Sequence, residues 1–211
     1  MEERHIRVPR TARYHVLGDV GTARAIWIVL HGYGQLARFF LNAFEGQQQG
    51  LLIVAPEGLS RFYLDEAHKR VGATWMTRED REHEIQDQIG YLDTLTDLLM
   101  KDTGPVPLHV LGFSQGVATA ARWSLAGTQQ FADLVFWSGT LPPEPSAELL
   151  AKRWKSTRVH LVHGEKDTIT GPDVLDANSA KLRKAGVQCQ VHRFGGGHQL
   201  DPLPIGRLLH P

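Results

Sequence analysis

Five short runs of the chain are apolar at nearly every position, a pattern typical of strands covered on both faces, and residues 190–194 end a sixth predicted strand. Residues 82–101 and 175–185 instead carry apolar side chains at three- and four-residue steps, which predicts two amphipathic helices. Strands that alternate with helices favour a mostly parallel, doubly wound α/β sheet flanked by helices. Residues 14–17 are predicted to add an antiparallel edge strand. These six segments are residues 25–30, 51–55, 108–113, 133–137, 159–162 and 190–194.

The length, composition and net charge of the chain limit its domain count and its possible partners. Its 211 residues, 42% of them hydrophobic, suit a single domain spanning 1–211 with no separate cap domain. The 23 basic and 23 acidic residues cancel, so bulk charge predicts no nucleic-acid partner. Cys189 is the one cysteine, which excludes an internal disulfide and a cysteine-based metal site. We expect no metal and no cofactor.

The charged N-terminal residues 1–7 do not resemble a signal peptide, and the apolar run 25–30 is too short to cross a bilayer. We therefore expect a cytoplasmic protein without membrane insertion that acts on a small molecule. The sequence leaves monomer and homodimer open.

A candidate nucleophile lies between a predicted strand and a predicted helix. Residues 112–116 read Gly-Phe-Ser-Gln-Gly, with an apolar run before them and a helix-forming stretch after them. A serine at such a strand-to-helix corner has a strained backbone, and its hydroxyl projects into a cleft. This context predicts Ser114 as the nucleophile of an acyl-transfer reaction.

A serine hydroxyl needs a base and a group that orients the base. The catalytic groups of open α/β sheets gather at the carboxyl ends of strands. Asp167 follows the fifth predicted strand and His198 follows the sixth, behind three glycines. The order Ser, Asp, His is that of α/β-hydrolases. Rival candidates are Glu165 for the acid and, for the base, His163, His109 and His192.

The oxyanion of a tetrahedral intermediate needs two N–H donors. We predict the backbone N–H of Gln115, which follows the nucleophile, and that of Tyr33 in the glycine-rich turn after the first long strand. Gly34 is the second choice for the latter. The side chain of His31 is interpreted as a structural hydrogen-bonding group.

Residues 57–80 are long for a connection in a compact domain, and such segments often line or cover a site. Five of their side chains, Leu64 among them, suit an acyl or aryl group, although each could equally anchor the segment on the core. The candidate substrate-binding residues are Phe62, Tyr63, Trp75 and Met76.

Taken together, these motifs resemble the phospholipase/carboxylesterase family of small α/β-hydrolases, which includes acyl-protein thioesterases and bacterial carboxylesterases. The resemblance runs from about residue 25 to residue 200. It implies the α/β-hydrolase fold and hydrolysis of carboxylic esters or thioesters without a cofactor. It also matches Ser114, Asp167 and His198 to the triad, and Tyr33 and Gln115 to the oxyanion positions. The matching motifs are residues 31–34, 112–116, 138–142, 163–167 and 196–198.

The chain departs from the family pattern in two places. Family members commonly carry an acidic residue just after the His-Gly-x-Gly turn, where this chain has 35–37, Gln-Leu-Ala. The last residues contain Pro202 and Pro204, so a long final helix is not expected.

Other functions remain open. Residues 32–37 fit Gly-x-Gly-x-x-Ala after a strand, and Glu57 lies about twenty residues further on, as in dinucleotide-binding proteins. A non-catalytic binding protein with the same fold is the other alternative. A His-Glu-x-x-His zinc motif is excluded, because Asp87 stands where the second histidine of His83-Glu84 would be needed.

Overall fold

The computed structural model describes residues 1–210, and its centre is a seven-stranded sheet. The strands lie in the order β1-β3-β2-β6-β7-β8-β9, and every pair is parallel except β1 with β3. The predicted mostly parallel α/β sheet with an antiparallel edge strand is therefore confirmed. The strands of this sheet are β1 (Tyr14–Leu17), β2 (Ala25–Leu30), β3 (Leu51–Pro56), β6 (Leu108–Phe113), β7 (Asp133–Trp137), β8 (Arg158–Gly164) and β9 (Cys189–Phe194).

Helices cover both faces of the sheet, which explains why the central strands are apolar at nearly every position. On β2, Ile26 and Ile28 face one helix layer, whereas Trp27 and Val29 face the other. The first layer contains α2 (Arg81–Thr103), α3 (Gln115–Ala126), α4 (Ala147–Arg153) and α5 (Pro172–Lys184). The second contains α1 (Ala37–Leu41), a 3₁₀ turn (Asn42–Phe44) and α6 (Pro202–Leu209).

The segment 57–80, expected to be a loop, contains a two-stranded hairpin, and this corrects the sequence interpretation. Its strands are β4 (Ser60–Tyr63) and β5 (Val71–Thr74), which pair in antiparallel fashion. The hairpin docks on the turn after β2, because Gly34 N–H donates to Ala73 O and Ala73 N–H donates to Gln35 O. Gly72 permits this approach, since a methyl group there would lie 2.5 Å from Gly34 O.

Candidate active site

Ser114 occupies the corner between β6 and α3. Its φ of 53° lies in the left-handed region, which is strained for any residue except glycine. Its N–H donates to the carbonyl oxygen of Trp137 on the neighbouring strand β7, at 2.9 Å. The corner is thus tied to the sheet.

The glycines on either side of Ser114 have a steric purpose. A methyl group on Gly112 would lie 2.3 Å from the carbonyl oxygen of Gly116, and one on Gly116 would lie 2.3 Å from the carbonyl oxygen of Leu30. Real side chains do not tolerate such contacts. The sharp turn and its packing against β2 therefore depend on both glycines.

The structure brings together the three predicted catalytic side chains. His198 Nε2 lies 3.0 Å from Ser114 Oγ, and His198 Nδ1 lies 2.8 Å from Asp167 Oδ2. Since the carboxylate accepts, Nδ1 carries the proton and Nε2 is left to accept from the serine hydroxyl. The Asp167 side chain is fully buried and that of His198 is 13% exposed. The imidazole is therefore held on both sides.

Asp167 lies in the turn after β8, where the backbone supplies its hydrogen bonds. The N–H groups of Ile169 and Thr170 donate to Oδ1, and the Thr170 hydroxyl donates to Oδ2. Burial alone would favour the neutral acid, but these bonds and the one from His198 outweigh it. They hold the pKa of Asp167 well below its usual value, so the group is a carboxylate at neutral pH.

The turn that carries His198 packs on the turn that carries Asp167. Lys166 N–H donates to Gly196 O at 2.9 Å. A methyl group on Gly164 would lie 2.4 Å from Gly197 O, so this contact depends on glycine at the end of β8. The contact sets the distance between the imidazole and the carboxylate.

The rival acid Glu165 and the rival base His163 lie near Asp167 but take no part in the hydrogen-bonded series. Glu165 is exposed, and it is Asp167 that contacts His198. His163 is buried and its Nε2 has no hydrogen-bond partner within residues 1–210. Burial lowers the pKa of His163. Neither residue contacts Ser114 Oγ among the described residues.

The other two rival bases, His109 and His192, belong to a separate cluster. It lies towards the amino ends of the strands, whereas the candidate site lies at their carboxyl ends. Asp133 accepts from His109 Nδ1 at 2.6 Å, from His160 Nε2 at 3.0 Å and from Arg158 Nε at 2.7 Å. His160 Nδ1 lies 3.2 Å from His192 Nε2. His109 and His192 therefore serve this network and not the candidate site.

Two backbone N–H groups near Ser114 are available as oxyanion donors. Within residues 1–210, neither Gln115 N–H nor Tyr33 N–H has an acceptor. The second choice, Gly34, is unavailable because its N–H donates to Ala73 O. A methyl group on Gly32 would lie 3.2 Å from Ser114 Cβ, so the turn that contains Tyr33 lies beside the serine.

His31 is a buried structural group, as interpreted from the sequence. Its Nε2 accepts from Gly58 N–H at 3.0 Å, and its Nδ1 lies 2.7 Å from Gly32 O. Burial lowers the pKa of His31, so the ring is neutral with its proton on Nδ1. It ties the turn after β2 to the segment that leads into the hairpin.

The four candidate substrate-binding residues have different surroundings. Trp75 is 1% exposed and its Nε1 donates to His31 O at 2.8 Å, so its side chain belongs to the core and not to the surface of the site. Phe62 is half-buried, with its ring 5.0 Å from that of Tyr33. Tyr63 is exposed and packs on His68. Met76 is half-buried and its sulfur contacts Arg122.

Sequence reasoning missed the supporting role of the Gln115 side chain. Its Oε1 accepts from Trp75 N–H at 3.1 Å, and its Nε2 donates to Met76 O at 3.0 Å. Gln115 thus joins the start of α3 to the chain after β5. The polar residue at this motif position could have suggested such a contact, but its partner is forty residues away.

Glu57, the carboxylate that the dinucleotide alternative requires, has another role in the structure. Its buried carboxylate accepts from Arg13 Nε and Arg61 Nε, each at 2.7 Å, and from Ala37 N–H at 3.3 Å. The N-terminus of α1, where a pyrophosphate would bind, is therefore capped by a side chain of the protein itself. This arrangement argues against dinucleotide binding by residues 32–37.

The strained serine corner and the mostly parallel sheet define an α/β-hydrolase-fold protein. A model of the Phospholipase/Carboxylesterase family matches residues 15–205, so the chain belongs to that family. The match confirms the resemblance noted from the motifs, and membership classes the chain as a hydrolase enzyme.

Solved structures with the same fold carry related names. Esterase PE8 has a TM-score of 0.71 and 21% identity, over 95% of this chain and 97% of that one. Acyl-protein thioesterase 2 of Zea mays has a TM-score of 0.72 and 20% identity, over 94% and 96%. A carboxylesterase from Mesorhizobium loti has a TM-score of 0.73 and 19% identity, over 95% of each. At these identities the likeness establishes the fold.

No curated protein matches the chain significantly. Among the helices of residues 1–210, none combines the length and apolar character needed to span a membrane.

Proposed function

We propose that the chain is a serine hydrolase that cleaves small to medium carboxylic esters through an acyl-enzyme on Ser114. The observation that carries this proposal is the hydrogen-bonded series from Ser114 Oγ to His198 at 3.0 Å and from His198 to Asp167 at 2.8 Å. All three groups come from turns at the carboxyl edge of one sheet. This supports our inference that residues 1–211 form a single domain without a separate cap.

In the acylation step, Ser114 Oγ attacks the ester carbonyl carbon while His198 Nε2 takes the hydroxyl proton. The imidazolium is stabilised by the carboxylate of Asp167. The carbonyl oxygen becomes an oxyanion, which accepts hydrogen bonds from the N–H groups of Tyr33 and Gln115. These donors cost little to align, because their positions are set by the fold before substrate binds.

The intermediate collapses when the carbon–oxygen bond to the alcohol breaks. His198 Nε2 returns its proton to the departing alkoxide, which leaves as a neutral alcohol. Water then attacks the acyl-enzyme with the same imidazole as base, and the carboxylic acid and free Ser114 are formed. No cofactor enters either step.

The preference for small to medium substrates rests on what surrounds the serine. The β4–β5 hairpin is the insertion on this edge of the sheet, and its strands have four residues each. We infer that Phe62 and Met76 contact the acyl or alcohol group from this side, whereas Tyr63, the next residue along β4, is 57% exposed and faces away from it. Thioesters are a second candidate class, favoured by the likeness to a plant acyl-protein thioesterase.

A fluorophosphonate probe followed by peptide mass spectrometry tests the proposal. We expect covalent label on Ser114 in the folded protein, none after Ser114→Ala, and unchanged labelling after Ser156→Ala, which alters an exposed serine. A folded wild-type protein without label on Ser114 would overturn the acyl-enzyme.

The same protein distinguishes the alternatives. A non-catalytic binding protein would neither react with the probe nor hydrolyse p-nitrophenyl esters, and a dinucleotide-binding protein would bind NAD. A series of p-nitrophenyl esters and their thioester analogues, with acyl chains of increasing length, then locates the limit of the pocket.

A further inference from the structure

A second group of side chains with metal-binding chemistry lies on a different part of the molecule. His5, Asp80 and His83 place their ligand atoms within 4.8 Å of one another, and no other such group of histidine, cysteine and acidic residues occurs in residues 1–210. His5 belongs to the N-terminal segment before β1, whereas Asp80 and His83 lie at the start of α2. Nothing in the proposed hydrolysis uses these residues.

We propose that His5, Asp80 and His83 form a binding site for a divalent transition-metal ion such as Zn²⁺. Two imidazole nitrogens with a carboxylate are ligands of the borderline-soft metals, whereas Ca²⁺ and Mg²⁺ select oxygen ligands alone. The site therefore favours zinc over the hard cations.

The three ligand atoms lie within 4.8 Å of one another on exposed side chains, so rotations of these side chains can bring them to the spacing that zinc requires. Ligand atoms on one tetrahedral Zn²⁺ ion lie about 3.3 Å apart, given zinc–ligand bonds of about 2.0–2.1 Å. His5 Nε2 lies 3.3 Å from Asp80 Oδ2, and His83 Nδ1 lies 2.6 Å from Asp80 Oδ1. On binding zinc, the exposed side chains would exchange these ion pairs for bonds to the metal.

A fourth ligand is within reach. Glu3 Oε1 lies 3.1 Å from His5 Nε2 and is exposed, so it can turn towards an ion at this site. The neighbouring first turn of α2 carries Glu82 and Glu84, and their negative charge offsets the unfavourable interaction of a cation with a helix N-terminus.

Metal binding would attach the N-terminal segment to α2. This segment has no regular secondary structure before Tyr14, and the three ligands lie in the wall of a cleft of about 800 Å³ between the segment and α2. An ion shared by both sides would act as a crosslink. The opposing interpretation is an exposed cluster of ion pairs with no ligand.

Calorimetric titration of the tag-free protein with ZnCl₂ tests the site. We expect one zinc ion per chain, and a loss of affinity of at least about 100-fold in His5→Ala and in His83→Ala. His68→Ala is the matched control, because it removes an exposed histidine outside the cluster. A Glu3→Gln variant tests the fourth ligand and should lose less.

His198 could itself bind zinc, so the titration is repeated on His198→Ala, which must retain the proposed site. Trypsin supplies a second readout: zinc should slow cleavage after Arg4, Arg7 and Arg10 in the wild type but not in His5→Ala. Zinc binding that persists in His5→Ala and His83→Ala, or no stoichiometric binding at all, overturns the proposal. Neither outcome depends on esterase activity, so failure here is distinct from failure of the hydrolase proposal.

Discussion

The Nδ1 atom of His198 reaches Asp167 Oδ2 across 2.8 Å, and the same carboxylate accepts from the backbone N–H groups of Ile169 and Thr170. A buried carboxylate with this many donors is fixed in position and charge. It can therefore orient the imidazole without taking its proton.

Asp167→Asn should lower kcat for ester hydrolysis by about 10⁴-fold, because an amide no longer selects the Nδ1–H tautomer of His198. Steady-state kinetics with a p-nitrophenyl ester measures this loss. Glu165→Gln is the matched control, as it alters the exposed neighbouring acid, and it should retain wild-type kcat. A comparable loss in both variants would contradict the assignment of Asp167.

Gly116→Ala should prevent normal folding, because its methyl group would lie 2.3 Å from the backbone oxygen of Leu30. Neither backbone can move without disturbing the central sheet. Gly90→Ala, within α2 and with no atom within 4 Å of the new methyl group, should instead add about 1 kcal/mol to the free energy of unfolding. Urea unfolding of soluble protein compares the two, and wild-type stability in Gly116→Ala would refute the steric argument.

Asp133→Asn should lower the free energy of unfolding at pH 7 by about 3 kcal/mol, because a buried ion-pair network loses its anion. Burial opposes ionisation of Asp133, but bonds from His109, His160 and Arg158 hold the pKa of the carboxyl far below its usual value. Its stabilisation is thus complete above the unfolded pKa of about 3.9 and is lost as the pH falls further.

The difference in Tm between wild type and Asp133→Asn should therefore narrow as the pH falls below about 4. Thermal unfolding followed by circular dichroism at several pH values measures it. Asp176→Asn, which changes a carboxylate that is 78% exposed, is the control and should shift Tm little. A difference that stays constant down to pH 2.5 would mean that the Asp133 carboxylate contributes nothing as an anion.

Phe62→Ala should lower kcat/KM for aryl esters by about tenfold, since its ring packs 5.0 Å from that of Tyr33 beside the proposed oxyanion donor. Tyr63→Ala should have little effect, because Tyr63 is 57% exposed. Kinetics on p-nitrophenyl esters separates the two. Equal losses of kcat/KM in the two variants would contradict the inference that Phe62 faces the substrate and Tyr63 faces solvent.

Much of the fold could be predicted because the pattern of each strand or long helix can be read from its own residues. Strands such as β2 and β6 are buried on both faces, so their apolar runs are visible without knowledge of their partners. The order of Ser114, Asp167 and His198 predicted a common edge, since parallel strands present their carboxyl ends together.

The missed features depend on distant partners. The strands β4 and β5 have four residues each and show no clear periodicity, so only their antiparallel pairing in the structure identifies them as a hairpin. Helices α1 and α4 are too short for a helical pattern to emerge. Glu57 could not be recognised as the buried partner of Arg13 and Arg61, because 44 residues separate Glu57 from Arg13.

The docking of Ala73 on both Gly34 and Gln35 has a practical consequence for protein engineering. The base of the hairpin is hydrogen-bonded to the turn that contains Tyr33. The hairpin is therefore not a lid that opens and closes over Ser114. Leu64 packs beside Gly34, but residues 66–70 at the tip of the hairpin are exposed, so amino acids can be inserted or exchanged there without touching the central sheet. Libraries that randomise these tip residues would change the surface around the candidate active site while leaving Ser114, Asp167 and His198 intact.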